Sequence, residues 1–286
     1  MQLRIGPAGG CDEFAAKYKS NLFLPEFISD FGLNAFEYQC GRGVNLAENA
    51  AEVLHEKTAA IGMEISLHAP YYISLSGIIE EKRLKSVYYI LLAAQAVKKL
   101  GGTRIVVHAG SASKISRAHA VELAKDTLIR AQKALDETGM SDVVMCPETL
   151  GKVNQLGTVE EICELCKIDE RLLPCIDFGH VNAMTNGSVK TKDDYLKILR
   201  AIENSLGSDR LKRMHIHFSK IEYTLAGGEQ RHLTFSDSAY GPEFEPLAEL
   251  IVQKDMTPYI VCESAGTQTR DAATMFKILK EKCEHK

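Results

Sequence analysis

The 286-residue sequence has no uncharged apolar run of about 18 residues or more, the length that a membrane-crossing helix needs. Residues 1–10 contain no basic stretch leading into an apolar segment and a cleavage site. The expectation is a cytoplasmic protein that neither spans a membrane nor is exported. Strong positive charge is also missing: 34 Lys and Arg stand against 38 Asp and Glu, a formal net charge of −4. Nucleic acid could then be held only through local charge, not through bulk charge. No G-x-G-x-x-G follows the first strand-like run, which argues against a dinucleotide-binding open sheet. Cys163 and Cys166 form a C-x-x-C with no second pair, inside a segment that reads as helix, so a zinc or redox site there is not expected. All eight cysteines are read as reduced, buried, small side chains.

What is present is an alternation. Strand-like runs occur at residues 3–6, 35–38, 63–68, 104–108, 142–148, 172–177, 214–218 and 258–263. Helical spacing of apolar residues occupies 46–61, 81–100, 116–138, 159–167, 193–204, 244–254 and 272–282, with a weaker segment at 12–19. Eight such pairs in 286 residues average about 36 residues each, the size of a βα unit. Runs such as Ile105-Val106-Val107 are apolar on both phases, as in a parallel sheet covered on both faces. No interdomain linker interrupts them. The expected fold class is α/β, a single (β/α)8 TIM barrel over residues 1–286 with its active site at the C-terminal mouth. Residues 219–242 form one long connection without a helical pattern, and a loop of that length in a compact domain is usually functional.

Metal-capable side chains fall where strands end. His68, His108, Glu148, Asp177 and Glu263 close the third, fourth, fifth, sixth and eighth runs, and His215 lies in the seventh. In a closed barrel these ends converge on one mouth. A lone histidine or carboxylate at a strand end is commonly core packing or a helix cap. Three carboxylates in one pocket, however, repel one another unless cations compensate, which favours bound divalent metal. Asp177-Phe178-Gly179-His180 is a D-x-x-H turn that brings His180 to the same place, and His232 sits in the long loop, where core packing does not explain it. His217 shares a strand face with His215, so one of the two is expected to be an outer partner instead of a ligand. Cys146 and Cys175, two residues before Glu148 and Asp177, should fill the layer beneath them. His55, His119 and His285 read as surface residues.

These segments together resemble the endonuclease IV family of abasic-site endonucleases, which have a xylose isomerase-like TIM barrel. The matching stretches are Leu67-His68-Ala69-Pro70-Tyr71, Val107-His108-Ala109-Gly110-Ser111, Pro147-Glu148-Thr149, Cys175-Ile176-Asp177-Phe178-Gly179-His180, Met214-His215-Ile216-His217 and Cys262-Glu263. The resemblance implies hydrolysis of duplex DNA 5′ to an abasic site by two or three zinc ions, or manganese, acting through a metal-bound hydroxide. A monomer is expected. It implies that His68, His108 and Glu148 hold one metal, that Glu148, Asp177, His215 and Glu263 hold a second, and that His180 and His232 hold a third. Glu148 and Glu263 would be the catalytic carboxylates. Tyr71 and Tyr72 match where the family inserts side chains into DNA. Apart from the resemblance, Arg231, with Arg42, Lys114, Lys152, Lys220 and Arg270, is a basic residue near the mouth that could contact DNA phosphates.

Two departures from the family pattern stand out. The aspartate expected two residues before the loop histidine is here Gln230, with Glu229 one position further back, so the third carboxylate is displaced to Glu229 or missing. The Asn-Asp that follows the seventh-strand histidine in the family is here His217-Phe218. The rival expectation is a single-metal sugar isomerase or epimerase of the same barrel superfamily. It would use the ligands of the last four strands, with Glu148 and Glu263 moving a proton. His68 and His108 discriminate, because such an enzyme does not need them as ligands.

Overall fold

The computed structural model describes residues 3–284, and His285 lies outside them. All eight strand-like runs are strands: β1 (Arg4–Pro7), β2 (Ala35–Gln39), β3 (Glu64–His68), β4 (Arg104–His108), β5 (Val144–Glu148), β6 (Cys175–Asp177), β7 (His215–Phe218) and, last in the chain, β10 (Tyr259–Cys262). They form one parallel sheet in the order β1-β10-β7-β6-β5-β4-β3-β2. Its two edges, β1 and β2, meet at a parallel bridge between Ala8 and Glu37, where the Gly9 amide donates to the Glu37 carbonyl at 2.9 Å. Lower down, the Asn34 side chain stitches the same seam, donating to the Leu3 carbonyl and accepting from the Ile5 amide. The sheet is thus a nearly closed (β/α)8 barrel, as its alternating pattern requires.

The helices that cover the barrel follow the apolar periodicity. They are α1 (Asp12–Lys17), α2 (Leu24–Ser29), α3 (Glu48–Ala60), α4 (Glu80–Lys99), α5 (Arg117–Glu137), α6 (Val159–Cys166), α7 (Phe178–Met184), α8 (Lys192–Leu206), α9 (Ser208–Lys212), α10 (Glu245–Gln253) and α11 (Gln268–Glu284). The weak pattern after the first strand corresponds to α1 and α2, six residues each, too short to set up a long repeat. Helix α6 starts where the sequence supplies a capping box: Thr158 accepts from the Glu161 amide and the Glu161 carboxylate accepts from the Thr158 amide. Among the described residues no helix is long and apolar enough to cross a membrane.

Strand alternation splits each run between two cores. Outward side chains such as Ile105, Val107, Met145, Ile176 and Ile216 pack beneath the helices. Inward ones stack in layers, with Val106, Cys146, Leu173 and Cys175 forming one apolar group inside the barrel. Both cysteines lie one layer below their carboxylates, as expected from the two-residue spacing. The long connection is not structureless: it folds into an antiparallel hairpin of β8 (Ile221–Thr224) and β9 (Gly228–His232).

The seam demands a glycine. A Cβ on Gly6 would lie 1.5 Å from the Ala35 carbonyl oxygen, a backbone atom with no freedom to move aside. Gly6→Ala should therefore part β1 from β2 and cost about 3 kcal/mol or more. Chemical denaturation would show this as a lowered midpoint, and an unchanged midpoint would mean that the seam is not tightly closed.

Candidate metal centre

The C-terminal ends of the strands surround a cavity of about 360 Å³ lined by His68, His108, Glu148, His180, Glu229, His232 and Glu263, among others. At its centre is Glu148, the last residue of β5 and almost fully buried. One of its oxygens lies 3.3 Å from His68 Nε2 and 3.2 Å from His108 Nε2, and the other lies 2.9 Å from His217 Nδ1. Burial alone would push this carboxyl up, but the adjacent His217, His108 and His68 outweigh it and hold it well below the usual carboxylate range. Glu148 is therefore an ionised acceptor shared between two sets of nitrogens.

Three groups of side chains present ligand atoms within 4.8 Å of one another at this mouth: His68, His108 and Glu148; Glu148, Asp177, His217 and Glu263; and His180, Glu229 and His232. Glu148 belongs to the first two. Second contacts fix the orientation of several rings. His68 Nδ1 donates to the Ala69 carbonyl at 2.8 Å and His180 Nδ1 to the Thr149 carbonyl at 3.0 Å. A carbonyl can only accept, so in the neutral rings the lone pair sits on Nε2, which faces Glu148 in one case and Glu229, at 3.5 Å, in the other. His232 Nδ1 is likewise engaged by Ser219 Oγ at 2.8 Å.

Asp177 caps helix α7: its Oδ1 accepts from the His180 amide at 2.9 Å, while its Oδ2 is buried without a hydrogen bond, 3.1 Å from a His180 Nδ1 that is already bonded to the Thr149 carbonyl. A buried, unpartnered carboxylate oxygen is costly unless a cation meets it. This orphaned oxygen, beside Glu148, His217 and Glu263, fits a divalent ion, as does the mixed imidazole and carboxylate donor set, which suits zinc or manganese. Glu263 carries the opposite pressure from Glu148. Burial, with Glu148 and Asp177 close by, raises its carboxyl to about 8 despite His217.

One expected ligand is exchanged for its neighbour. His215 does not reach the mouth: the strand register sets it beside Cys175 and Tyr259, whereas His217 is level with Asp177. His217 takes the place beside Glu148, Asp177 and Glu263, and His215 stacks on the Tyr259 ring one layer deeper, with centroids 5.0 Å apart. Both histidines face inward, as alternation requires, but the stagger between strands decides which one is at the rim.

Two carboxylates complete the picture. Glu229 reaches the third group because the β8–β9 hairpin is irregular there: Tyr223 pairs with Glu229 and Glu222 with Arg231, leaving Gln230 as an inserted residue. Residues three apart in a regular strand point to opposite faces, and the extra residue restores Glu229 and His232 to one side. The carboxylate is thus displaced by one position, not lost. Gly151 leaves room for it, since a Cβ there would lie 2.7 Å from Glu229 Cβ and 3.0 Å from His180 Cδ2.

Glu37, in the middle of β2, is a further carboxylate beside the site that no sequence motif marks. It is fully buried, with its Oε2 3.2 Å from His215 Nε2 and its Oε1 3.2 Å from His217 Nε2. A glutamate on the inward phase of Ala35-Phe36-Glu37-Tyr38-Gln39 was the available signal, because a carboxylate inside a strand of this kind needs a partner.

Of the residues expected to meet DNA, Tyr71 and Tyr72 are 58% and 44% exposed at the rim, and Tyr72 packs edge-on against Tyr89. Several basic candidates are engaged elsewhere: Arg231 by Glu222, Arg270 by Glu13, and the buried Lys220 by Glu243 and the Asp237 carbonyl. Lys152 lines the cavity.

Comparison with known proteins gives a consistent architecture and divided names. A family model described as a xylose isomerase-like TIM barrel matches residues 25–281. An uncharacterized protein of Methanocaldococcus jannaschii is 32% identical over 277 residues, covering 96% of this chain and 94% of that protein. A probable endonuclease 4 of Malacoplasma penetrans is 28% identical over 193 residues, covering 66% of this chain and 63% of that protein. Among solved structures, endonuclease IV from Thermus thermophilus aligns with a TM-score of 0.69 at 21% identity, over 93% of this chain and 94% of that one. A D-tagatose 3-epimerase-like protein aligns with a TM-score of 0.70 at 20% identity, over 91% of this chain and 92% of that one. At these identities the two structural likenesses speak for the fold.

The site makes the metal-free protein sensitive to pH. Despite burial, which opposes it, nearby carboxylates raise His68 and His180 from 6.5 to about 9. Burial raises Glu263 from 4.5 to about 8. Each group binds its proton more tightly folded than unfolded, so this contribution is present at lower pH and is lost as pH rises through 8 to 9. The melting temperature of the metal-free protein should fall between pH 6.5 and 9. Zinc, which must displace these protons, should bind more tightly over the same range. A melting temperature that rises with pH in this window would contradict the charge arrangement.

Proposed function

Because the chain belongs to the xylose isomerase-like TIM barrel family, we propose that it is a metal-dependent phosphodiesterase that cuts duplex DNA on the 5′ side of abasic sites, with zinc or manganese at the mouth. The observation that carries this reading is the presence of three ligand groups in one cavity, two of them joined through Glu148. A single-metal enzyme has no use for the His68, His108 and Glu148 group or for the His180, Glu229 and His232 group. Divalent ions held there would activate water and neutralise charge on a phosphodiester and its leaving oxygen.

The chain's own residues have distinct parts in this proposal. Glu148 stays ionised and bridges the first two groups, since its three histidine neighbours favour the charged form. His68 and His180 are held with Nε2 aimed into the cavity by their bonds to the Ala69 and Thr149 carbonyls. Glu229 and His232, on the hairpin, flank the group that would grip the phosphate. Tyr71, which lines the cavity, and the neighbouring Tyr72 stand where flanking bases would stack at an abasic gap. Arg231 is a weaker candidate for contact with DNA, since Glu222 competes for its guanidinium.

One observation favours a second reading, a sugar isomerase or epimerase. Glu148, Asp177, His217 and Glu263 alone make a complete one-metal site, and a carboxyl raised to about 8 is suited to proton exchange near neutrality. The relatives' names divide along the same line.

Metal stoichiometry separates the two. Elemental analysis of the purified protein should find two or three ions per chain, whereas one ion would favour the epimerase. A duplex with a single abasic site should be nicked in the presence of zinc or manganese. Glu148→Gln should slow nicking by more than the roughly 100-fold that loss of an outer-sphere partner gives. Glu229→Gln and His232→Ala should each remove one ion and slow cleavage while leaving the melting temperature of the metal-free protein within a few degrees. Full activity in both variants would mean that the third group is idle. Failure to nick with any divalent ion, together with turnover of ketoses, would replace the nuclease reading with the epimerase.

A further inference from the structure

Beneath the mouth lies a polar layer that belongs to none of the three rim groups. Glu37, His215 and the inner edge of His217 occupy it, fully buried. A carboxylate is rarely placed so deep unless several donors converge on it. Here Ser66 Oγ donates to its Oε2 at 3.0 Å and Gln39 Nε2 to its Oε1 at 3.2 Å. The remaining approach to each oxygen is filled by an imidazole Nε2, that of His215 at Oε2 and that of His217 at Oε1, both at 3.2 Å. Neither ring is aligned for a full hydrogen bond, and both Nε2 atoms are otherwise without partners. Their nearest compensation is thus the same anion.

We propose that Glu37 is a positioning residue of this site: its carboxylate holds a proton on Nε2 of His217, so that Nδ1 is the nitrogen given up to a divalent ion bound among Glu148, Asp177 and Glu263. The inference rests on the metal reading above. The argument is one of tautomers. A neutral imidazole carries one N–H, and an anion at one nitrogen draws the proton there. His68 and His180 are set the other way round, because carbonyl oxygens hold their Nδ1 protons and leave Nε2 facing the cavity. Both nitrogens of His217 face carboxylates: Nδ1 is hydrogen-bonded to Glu148 at 2.9 Å and lies 3.5 Å from Glu263, and Nε2 lies 3.2 Å from Glu37. An ion among Glu148, Asp177 and Glu263 would displace the proton on Nδ1, and the proton left on Nε2 would face Glu37.

His215 is the second arm of this clamp. Its Nε2 holds the other Glu37 oxygen, and its ring lies flat against Tyr259 at an interplanar angle of 18°. Tyr259 is itself pinned, donating from its hydroxyl to the carbonyls of Phe36 and Glu64. The H-x-H of β7 thus acquires a division of labour: His217 for the ion, His215 to fix the carboxylate that orients His217. Cys175 Sγ is close enough to both rings for a buried ion to be considered in its place. The Ser66 and Gln39 donors already spend lone pairs of Glu37, which suits an outer-sphere acceptor better than a ligand.

The test reads the tautomer directly. In zinc-loaded full-length protein with isotope-labelled histidine nitrogens, long-range proton–nitrogen spectra should show His217 with a metal-shifted Nδ1 and a protonated Nε2, and His215 neutral with its proton on Nε2. His217→Gln and His215→Gln assign the signals. Glu37→Gln should weaken binding of the ion at Glu148, Asp177 and Glu263 by about 10- to 100-fold in chelator competition, and should mix the His217 tautomers. A metallated Nε2 on His217 in the wild type overturns the proposal even if the variant does not fold. So does a thiolate-to-metal absorption band in cobalt-loaded protein that vanishes in Cys175→Ser. Unchanged affinity and tautomer in Glu37→Gln overturn it while leaving the metal reading intact, whereas a wild type that takes up no ion overturns both.

Discussion

The cost of holding carboxylates out of water organises this barrel. Glu37, Glu148 and Asp177 are almost wholly buried, and Glu263 and Glu229 stand beside them at the mouth. Left alone, each would be driven to its neutral form. Instead Glu148 is met by His68, His108 and His217, and Glu37 by His215, His217, Ser66 and Gln39. Where imidazoles are close, the carboxyl is pulled down; where they are outnumbered, as at Glu263, it is pushed up. The same buried charge that destabilises an empty barrel would favour divalent cations in the site proposed above.

The barrel accommodates this charge by layering. The apolar Val106, Cys146, Leu173 and Cys175 group lies inside the barrel, Glu37 and His215 form a sealed polar tier, and the three rim groups open to the cavity. Loops then add what strands cannot. The D-x-x-H turn lets Asp177 cap α7 with one oxygen and offer the other to the centre, and the bulged hairpin delivers Glu229 and His232 together. Gly151 makes that delivery possible by leaving empty the space that a side chain would claim from Glu229 and His180.

Much of this was legible from residues alone. A strand carries its own signature, so the eight runs, their burial on both faces and the polar residues at their ends could be read without coordinates, as could the place of Cys146 and Cys175 beneath the carboxylates. Gln230 is a departure visible in the sequence, with Glu229 as its candidate replacement, but a bulge is a pairing between two strands and so has no mark in one of them. The hairpin that holds it has too few apolar residues to announce itself: Gly228-Glu229-Gln230-Arg231-His232 is polar throughout. Glu37 is not marked by any sequence motif, because a single inward glutamate acquires meaning only from what lies across the barrel.

The exchange of His215 for His217 shows where the boundary falls. Alternation placed both histidines on the inner face, which follows from the two-residue repeat of an extended chain and is a local property. Which of them stands at the mouth depends on how far β7 is staggered against β6 and β10, a relation among segments separated by tens of residues. The chain by itself determined the barrel and the face each of these histidines and carboxylates occupies. Only the closed tertiary structure, by setting strand register and the height of each layer, decided which histidine meets the carboxylates and which one supports it from below.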